Sequence, residues 1–294
     1  MRYNSSGYYE EKISLLGLGS ESFQLDEKSL YEKEKCAEIF KTAFEKGITF
    51  FFSPFSPDEI TKKCFGENLS RKNRGDYCIC GGISLDDVTF PNNLPDYFEK
   101  QLSALKTGFF DYYVIDGILE KSDLLLKNNH IFQNLWELKS LGKIKHLGLS
   151  IPDSKNDYRA VLDEYPWDFV LMKINFYSWD YLGADEIYHA VRKKNIPFIA
   201  SDPYFGGMIL NPPREVFDIF QEGDPLYSMR EWALRWFFNK KGLLCIISDP
   251  ETAEELSETA DIVSESKTLN SSKKHYVKLA ARELHQKNCG SCSE

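Results

Sequence analysis

The feature that most constrains this chain is a rhythm: a short apolar run followed by a helical stretch, repeated eight times. The runs are Ile13 to Leu18, Ile48 to Phe52, Tyr77 to Cys80, Tyr112 to Ile115, His146 to Leu149, Phe169 to Ile174, Pro197 to Ala200 and Leu243 to Ile247. Most are near-continuous in apolar residues, the pattern of strands covered on both faces and hence of a parallel sheet. The stretches expected to be helical are Tyr31 to Lys46, Asp58 to Ser70, Leu94 to Thr107, Ser122 to Leu141, Asn156 to Glu164, Ala184 to Lys194, Leu226 to Asn239 and Pro250 to Val263. Gly47, Gly142 and Gly242 stand where left-handed C-terminal caps would sit. An even alternation of eight β-then-α units, unbroken by a second domain, favours a closed α/β barrel of the (β/α)8 TIM type over an open doubly wound sheet. The 294 residues suit one such barrel over 1–263, with a C-terminal helical extension and CxxC tail over 264–294.

A formal charge of −9 argues against a nucleic-acid partner, which requires a basic face. A small-molecule ligand or a protein partner is expected instead. Apolar runs such as Leu243 to Ile247 are far too short to span a membrane, and Met1-Arg2-Tyr3-Asn4 opens no signal peptide, so no membrane association and a cytoplasmic location are expected. The seven cysteines are odd in number and scattered, which predicts reduced thiols, with Cys78 and Cys80 as small core residues. No histidine stands at metal-ligand spacing from another His or Cys, so no metal site is expected. Tyr8 and Tyr9 are expected in an N-terminal hairpin closing the barrel bottom.

Several stretches resemble the aldo/keto reductase family, and within it the bacterial branch with a C-terminal iron–sulfur segment. They are Met1-Arg2-Tyr3, Ile13 to Gly19, Gly47-Ile48-Thr49-Phe50-Phe51, Phe110-Asp111-Tyr112-Tyr113, and Gly142 to Ser150. Trp167-Asp168-Phe169 with Asn175, Pro203 with Gly206-Gly207, and Glu231 to Trp236 resemble later landmarks, in family order and spacing over roughly residues 1 to 263. The resemblance implies the barrel of that family and an NADP-dependent carbonyl reductase. In such an enzyme a tyrosine phenol protonates the developing alkoxide, assisted by a lysine, an aspartate and a histidine.

Carried onto this chain, those four positions hold Phe52 for the aspartate, Phe55 for the tyrosine, Gly82 for the lysine and Asp116 for the histidine. Loss of one general acid typically costs about 10²- to 10⁴-fold in rate, so carbonyl reduction by the family mechanism is not expected. Leu171 stands for a glutamine that holds the nicotinamide amide, and Ser201 for the aromatic that stacks under the ring. The last βα loop, Ser248 to Glu255, is acidic where the family binds a phosphate with cations, although acids in a first helical turn also serve the helix dipole. The tail offers only Cys289 and Cys292, and one C-x-x-C cannot close a four-thiolate site in one chain, so no iron–sulfur cluster is expected; the pair is a vestige without function, a redox-active thiol pair or a metal site shared between chains.

Barrels carry function at the C-terminal ends of their strands. The candidate pocket is therefore Ser53, Asp116, Ser150, Lys173, Asn175, Ser201 and Asp202. Asp116 and Asp202 either face one mouth, as acid–base partners or cation ligands, or cap helices and pair with Lys173 and nearby arginines. Asn175 and Ser150 match family residues that touch the nicotinamide, or else satisfy strand-end backbone groups. The reading is a catalytically degenerate ligand-binding or regulatory barrel without a cofactor. The alternative is a divergent oxidoreductase that binds NAD(P) and uses altered residues.

Overall fold

Eight parallel strands close on themselves in the computed structural model of the chain, which describes residues 1–4, 11–23, 30–53, 55, 59–85, 94–117, 131–152, 158–265 and 267–290, with only the backbone at 30–32 and 288–290. A two-stranded antiparallel hairpin, β1 (Tyr3–Asn4) with β2 (Ile13–Ser14), precedes the barrel. The barrel strands are β3 (Leu16–Leu18), β4 (Phe50–Phe52), β5 (Cys78–Ser84), β6 (Phe110–Asp116), β7 (Ile144–Ile151), β8 (Phe169–Lys173), β9 (Phe198–Ser201) and β10 (Leu243–Ser248). They are hydrogen-bonded in chain order, with β10 returning to β3.

The near-continuous apolar runs follow from this closure, because each strand faces the lumen and the helical ring alternately. Phe50, Phe52, Cys78, Cys80, Tyr112, Val114, Phe169, Leu171, Ile199, Cys245 and Ile247 form one buried cluster inside the barrel. Their neighbours Phe51, Ile79, Tyr113, Ile115, Val170, Met172, Ala200 and Ile246 belong to the cluster beneath the helices. Each large side chain buried in this way contributes roughly 1.5–3 kcal/mol.

The helices are α1 (Leu30–Glu45), α2 (Glu59–Leu69), α3 (Leu94–Ala104), α4 (Ile131–Ser140), α5 (Tyr158–Glu164), α6 (Phe176–Tyr181), α7 (Ala184–Lys193), α8 (Arg214–Gly223), α9 (Met229–Phe237), α10 (Ala253–Glu265) and α11 (Ser271–Gly290). In α1 the buried residues Cys36, Ile39, Phe40 and Ala43 recur at helical spacing, and Phe40 stacks on Phe51 of β4 at 5.5 Å. Gly47, Gly142 and Gly242 do adopt positive φ after α1, α4 and α9.

Five details differ from the sequence reading. The run Ile13 to Leu18 divides at Leu15, whose N–H donates to Arg2 O, so only its second half enters the barrel. Strand β5 continues past Cys80 through Gly81 and Gly82 to Ser84. Two unexpected helices appear: α6, capped by Asn175, and α8, while α9 starts at Met229 on a Ser228–Glu231 capping box rather than at Leu226. The cysteines are not all free, since the sulfurs of Cys36 and Cys64 are joined where α1 and α2 lie side by side. Tertiary packing, which sequence separation does not reveal, brings that pair together. Of the expected helix Ser122 to Leu141, residues 122–130 lie outside the described residues, as do Tyr8 and Tyr9.

Candidate functional site at the barrel mouth

Period-two alternation sets the top layer of the lumen. Val114, Leu171 and Ile199 point inward, so Asp116, Lys173 and Ser201, each two residues on, share their face. Ser150 pairs in register with Leu171 on β7 beside β8. These four residues, with Glu21, Phe52, Phe55 and Leu171, line a cavity of about 200 Å³ at the strand C-termini. Of the expected pocket residues, Asp116, Ser150, Lys173 and Ser201 are thus brought together. Glu21 was not foreseen; its signal was its place just beyond Leu18 at the first barrel strand's end.

Ser53, Asn175 and Asp202 do not line this cavity. Ser53 is fully buried; its N–H donates to Cys80 O, and its hydroxyl has no partner among the described residues. Asn175 is consumed by backbone: its Oδ1 accepts from the N–H groups of Tyr177 and Ser178, and its Nδ2 donates to Asp202 O at 3.1 Å. Asp202 has a φ of 51°, and its carboxylate accepts the Gly206 N–H at 2.7 Å. The joint Asp116–Asp202 site is therefore not formed. Asp116 faces the cavity, whereas Asp202 holds a turn. Lys173 makes no ion pair with either within 4 Å.

Gly82 and Phe55 are coupled sterically. A Cβ on Gly82 would lie 2.3 Å from the Phe55 ring and 2.7 Å from Val114 O, so a side chain at position 82 has no room while that ring stays in place. The ring is held from several sides. Phe55 packs edge-on against Phe52 at 5.2 Å, and Tyr97 donates its hydroxyl to Phe55 O at 2.8 Å. Beneath it, Gln101 Nε2 donates to Gly82 O at 2.8 Å, and Tyr113 donates to Gln101 Oε1.

Beyond the cavity, Asp249 follows β10, and Glu21 N–H donates to its carboxylate at 2.8 Å. Gly19 leaves the space that carboxylate occupies. Burial pushes Asp249 up to about 7, with the nearby Glu21 and Asp202 charges adding to the shift. In the first turns of α10, Glu255 and Glu258 are engaged by Arg230 at 3.8 and 3.4 Å. Burial pushes the Cys78, Cys80 and Cys245 thiols up, which makes them poor nucleophiles. Among the described residues no cluster of three His, Cys, Asp or Glu is placed to hold a metal, and no helix is long and apolar enough to cross a membrane. Cys289 falls in the last turn of α11, but its side chain and Cys292 lie outside the described residues.

The barrel is shared with solved structures at low identity. The aldo-keto reductase AKR11C1 from Bacillus halodurans, in its holo form, aligns with a TM-score of 0.76 at 15% identity, covering 95% of this chain and 96% of its own. A thermostable aldo-keto reductase, Tm1743, solved with the inhibitor epalrestat, gives 0.76 at 20% identity, over 95% and 100% of the two chains. The glycerol dehydrogenase AKR11B4 from Gluconobacter oxydans gives 0.77 at 14%, over 96% and 95%. At these identities the likeness speaks for the fold alone. The family itself follows from the sequence match, in which residues 15–278 fit the model of the aldo/keto reductase family, and the chain therefore belongs to that family.

Proposed function

We propose that this barrel is a catalytically degenerate member of the family, one that uses its mouth to bind a small ligand and does not deliver a hydride with its accompanying proton. The observation that carries the reading is the Phe55 ring over Gly82, which fills the space a lysine stem at position 82 would need. The cavity walls at the other matched positions are Phe52, Phe55 and Asp116, without a phenol among the lining residues. The phenol that the family uses as its general acid thus has no counterpart among these walls.

The residues present do not fit a nicotinamide dinucleotide either. The Asn175 amide is spent on Tyr177, Ser178 and Asp202, and Leu171 offers no hydrogen bond at the cavity. The loop and helix start where the family binds the phosphate carry Asp249 and Glu254, and Arg230 is already engaged by Glu255 and Glu258. No chemical step is therefore routed through that cofactor.

The test is a titration of NADPH and NADH against the protein, read by quenching of its five tryptophans, followed by turnover assays on aliphatic and aromatic aldehydes. Silence to millimolar cofactor with no turnover is the expected result. Micromolar binding with turnover would replace this reading with that of a divergent oxidoreductase, in which Asp116 is the first candidate acid.

A further inference from the structure

We propose that the mouth cavity takes a small zwitterion of the α-amino-acid type, its carboxylate against Lys173 and its ammonium against Asp116. This rests on the reading of the mouth as a ligand site and names the class of ligand.

The argument starts from the barrel's alternation. Asp116 on β6 and Lys173 on β8 stand two strands apart, both inward-facing and both lining the same cavity. These two line the cavity without forming an ion pair within 4 Å, and neither pairs with another described residue. Asp116 is half-buried, whereas Lys173 is exposed. A ligand carrying both complementary charges answers both groups at once. A ligand with one charge answers one and leaves the other as it was.

Shape narrows the class further. At about 200 Å³ the cavity lies below the roughly 300–1,000 Å³ of drug-sized sites, so the ligand has few heavy atoms. Phe52, Phe55 and Leu171 give it an apolar wall, and Ser150 adds a hydroxyl near the acidic end, level with Asp116 through the β6–β7 register. Glu21 is a second carboxylate in the lining and biases the cavity towards a ligand with an ammonium group. An amino acid with a small apolar side chain matches charge, size and wall together.

The experiment is calorimetric titration of the full chain at pH 7.5 with L-alanine, L-valine and L-leucine. Each is paired with its deaminated carboxylate and its decarboxylated amine. At least one amino acid is expected to bind with Kd below about 1 mM, and both of its single-charge analogues at least tenfold more weakly, a difference of about 1.4 kcal/mol. D116N and K173Q should each weaken that amino acid by about tenfold, since each leaves one ligand charge unanswered. Absence of submillimolar binding by all three amino acids overturns the proposal, as does an analogue that binds equally well. Variants that fold and bind like the unaltered protein overturn it too. The analogue comparison needs no variant, so it decides even if a substitution unfolds the barrel. The cofactor titration above separates the two readings: failure here with no NADPH turnover removes only the zwitterion, whereas turnover removes the degenerate-barrel reading.

Discussion

Adding a single methyl group at position 82 is the sharpest test of how the mouth is built. In Gly82→Ala the new Cβ would sit 2.3 Å from one Phe55 ring carbon, 2.4 Å from the next and 2.7 Å from Val114 O. The ring is a movable neighbour; the carbonyl, part of the β5–β6 ladder, is not. Overfilling of this kind costs about 1–3 kcal/mol. Near 60 °C the unfolding entropy is about 2.1 cal/mol/K per residue, so over this chain each kcal/mol moves Tm by about 1.6 °C. The expected fall in Tm is thus about 2–5 °C, read by thermal melts followed by circular dichroism. The cycle with Phe55→Leu then separates the two contacts. If the ring is the main obstacle, the double variant recovers at least about 0.5 kcal/mol relative to the sum of the single changes. The reasoning fails if Gly82→Ala melts like the unaltered protein, or if its cost is the same with and without the ring.

Three further outcomes follow from charges described above or nearby. Asp249 has its folded pKa raised to about 7, above the value of an unfolded aspartate, so its contribution is fully present in acid and is lost as pH rises from about 4 through about 7. Asp249→Asn should accordingly gain Tm on the unaltered protein across that window and hold a constant lead above it, and a lead independent of pH would refute the assignment. The ammonium of Lys240 lies over Trp179 at 3.2 Å and Trp236 at 3.9 Å, and burial lowers it to about 7. Its stabilising effect is therefore full above the unfolded lysine value and lost as pH falls towards 7, so Lys240→Met should flatten the rise in stability between about pH 7 and 10. Arg235 is buried against Glu231 at 2.7 Å and the more exposed Glu265 at 3.0 Å, so Arg235→Met should cost somewhat less than the ~3–5 kcal/mol of a fully buried pair, measured by urea denaturation.

The barrel was legible in the sequence because its strands are buried on both faces, and burial of that kind writes itself as unbroken apolar runs. Its edges were less so. Gly81 and Gly82 read as a strand end, since glycine usually punctuates; here they continue β5 because the Phe110 and Phe55 rings take the space beside them. The mouth was half legible. Asp116, Ser150, Lys173 and Ser201 follow from counting in twos along strands. Asn175 and Asp202 stand at strand ends as well, but their side chains serve a helix start and a turn, a competition that only the three-dimensional path of the backbone decides. The Cys36–Cys64 pair depends on neighbours far along the chain, and no local pattern announces it.

The ring lodged over Gly82 also bears on how this barrel can change. Any longer side chain arriving alone at position 82 enters an overfilled space, and removing Phe55 alone leaves a hollow beside Phe52. Each single step descends in stability, so a path from this mouth to one that presents an amine there passes through a less stable intermediate, whichever position changes first.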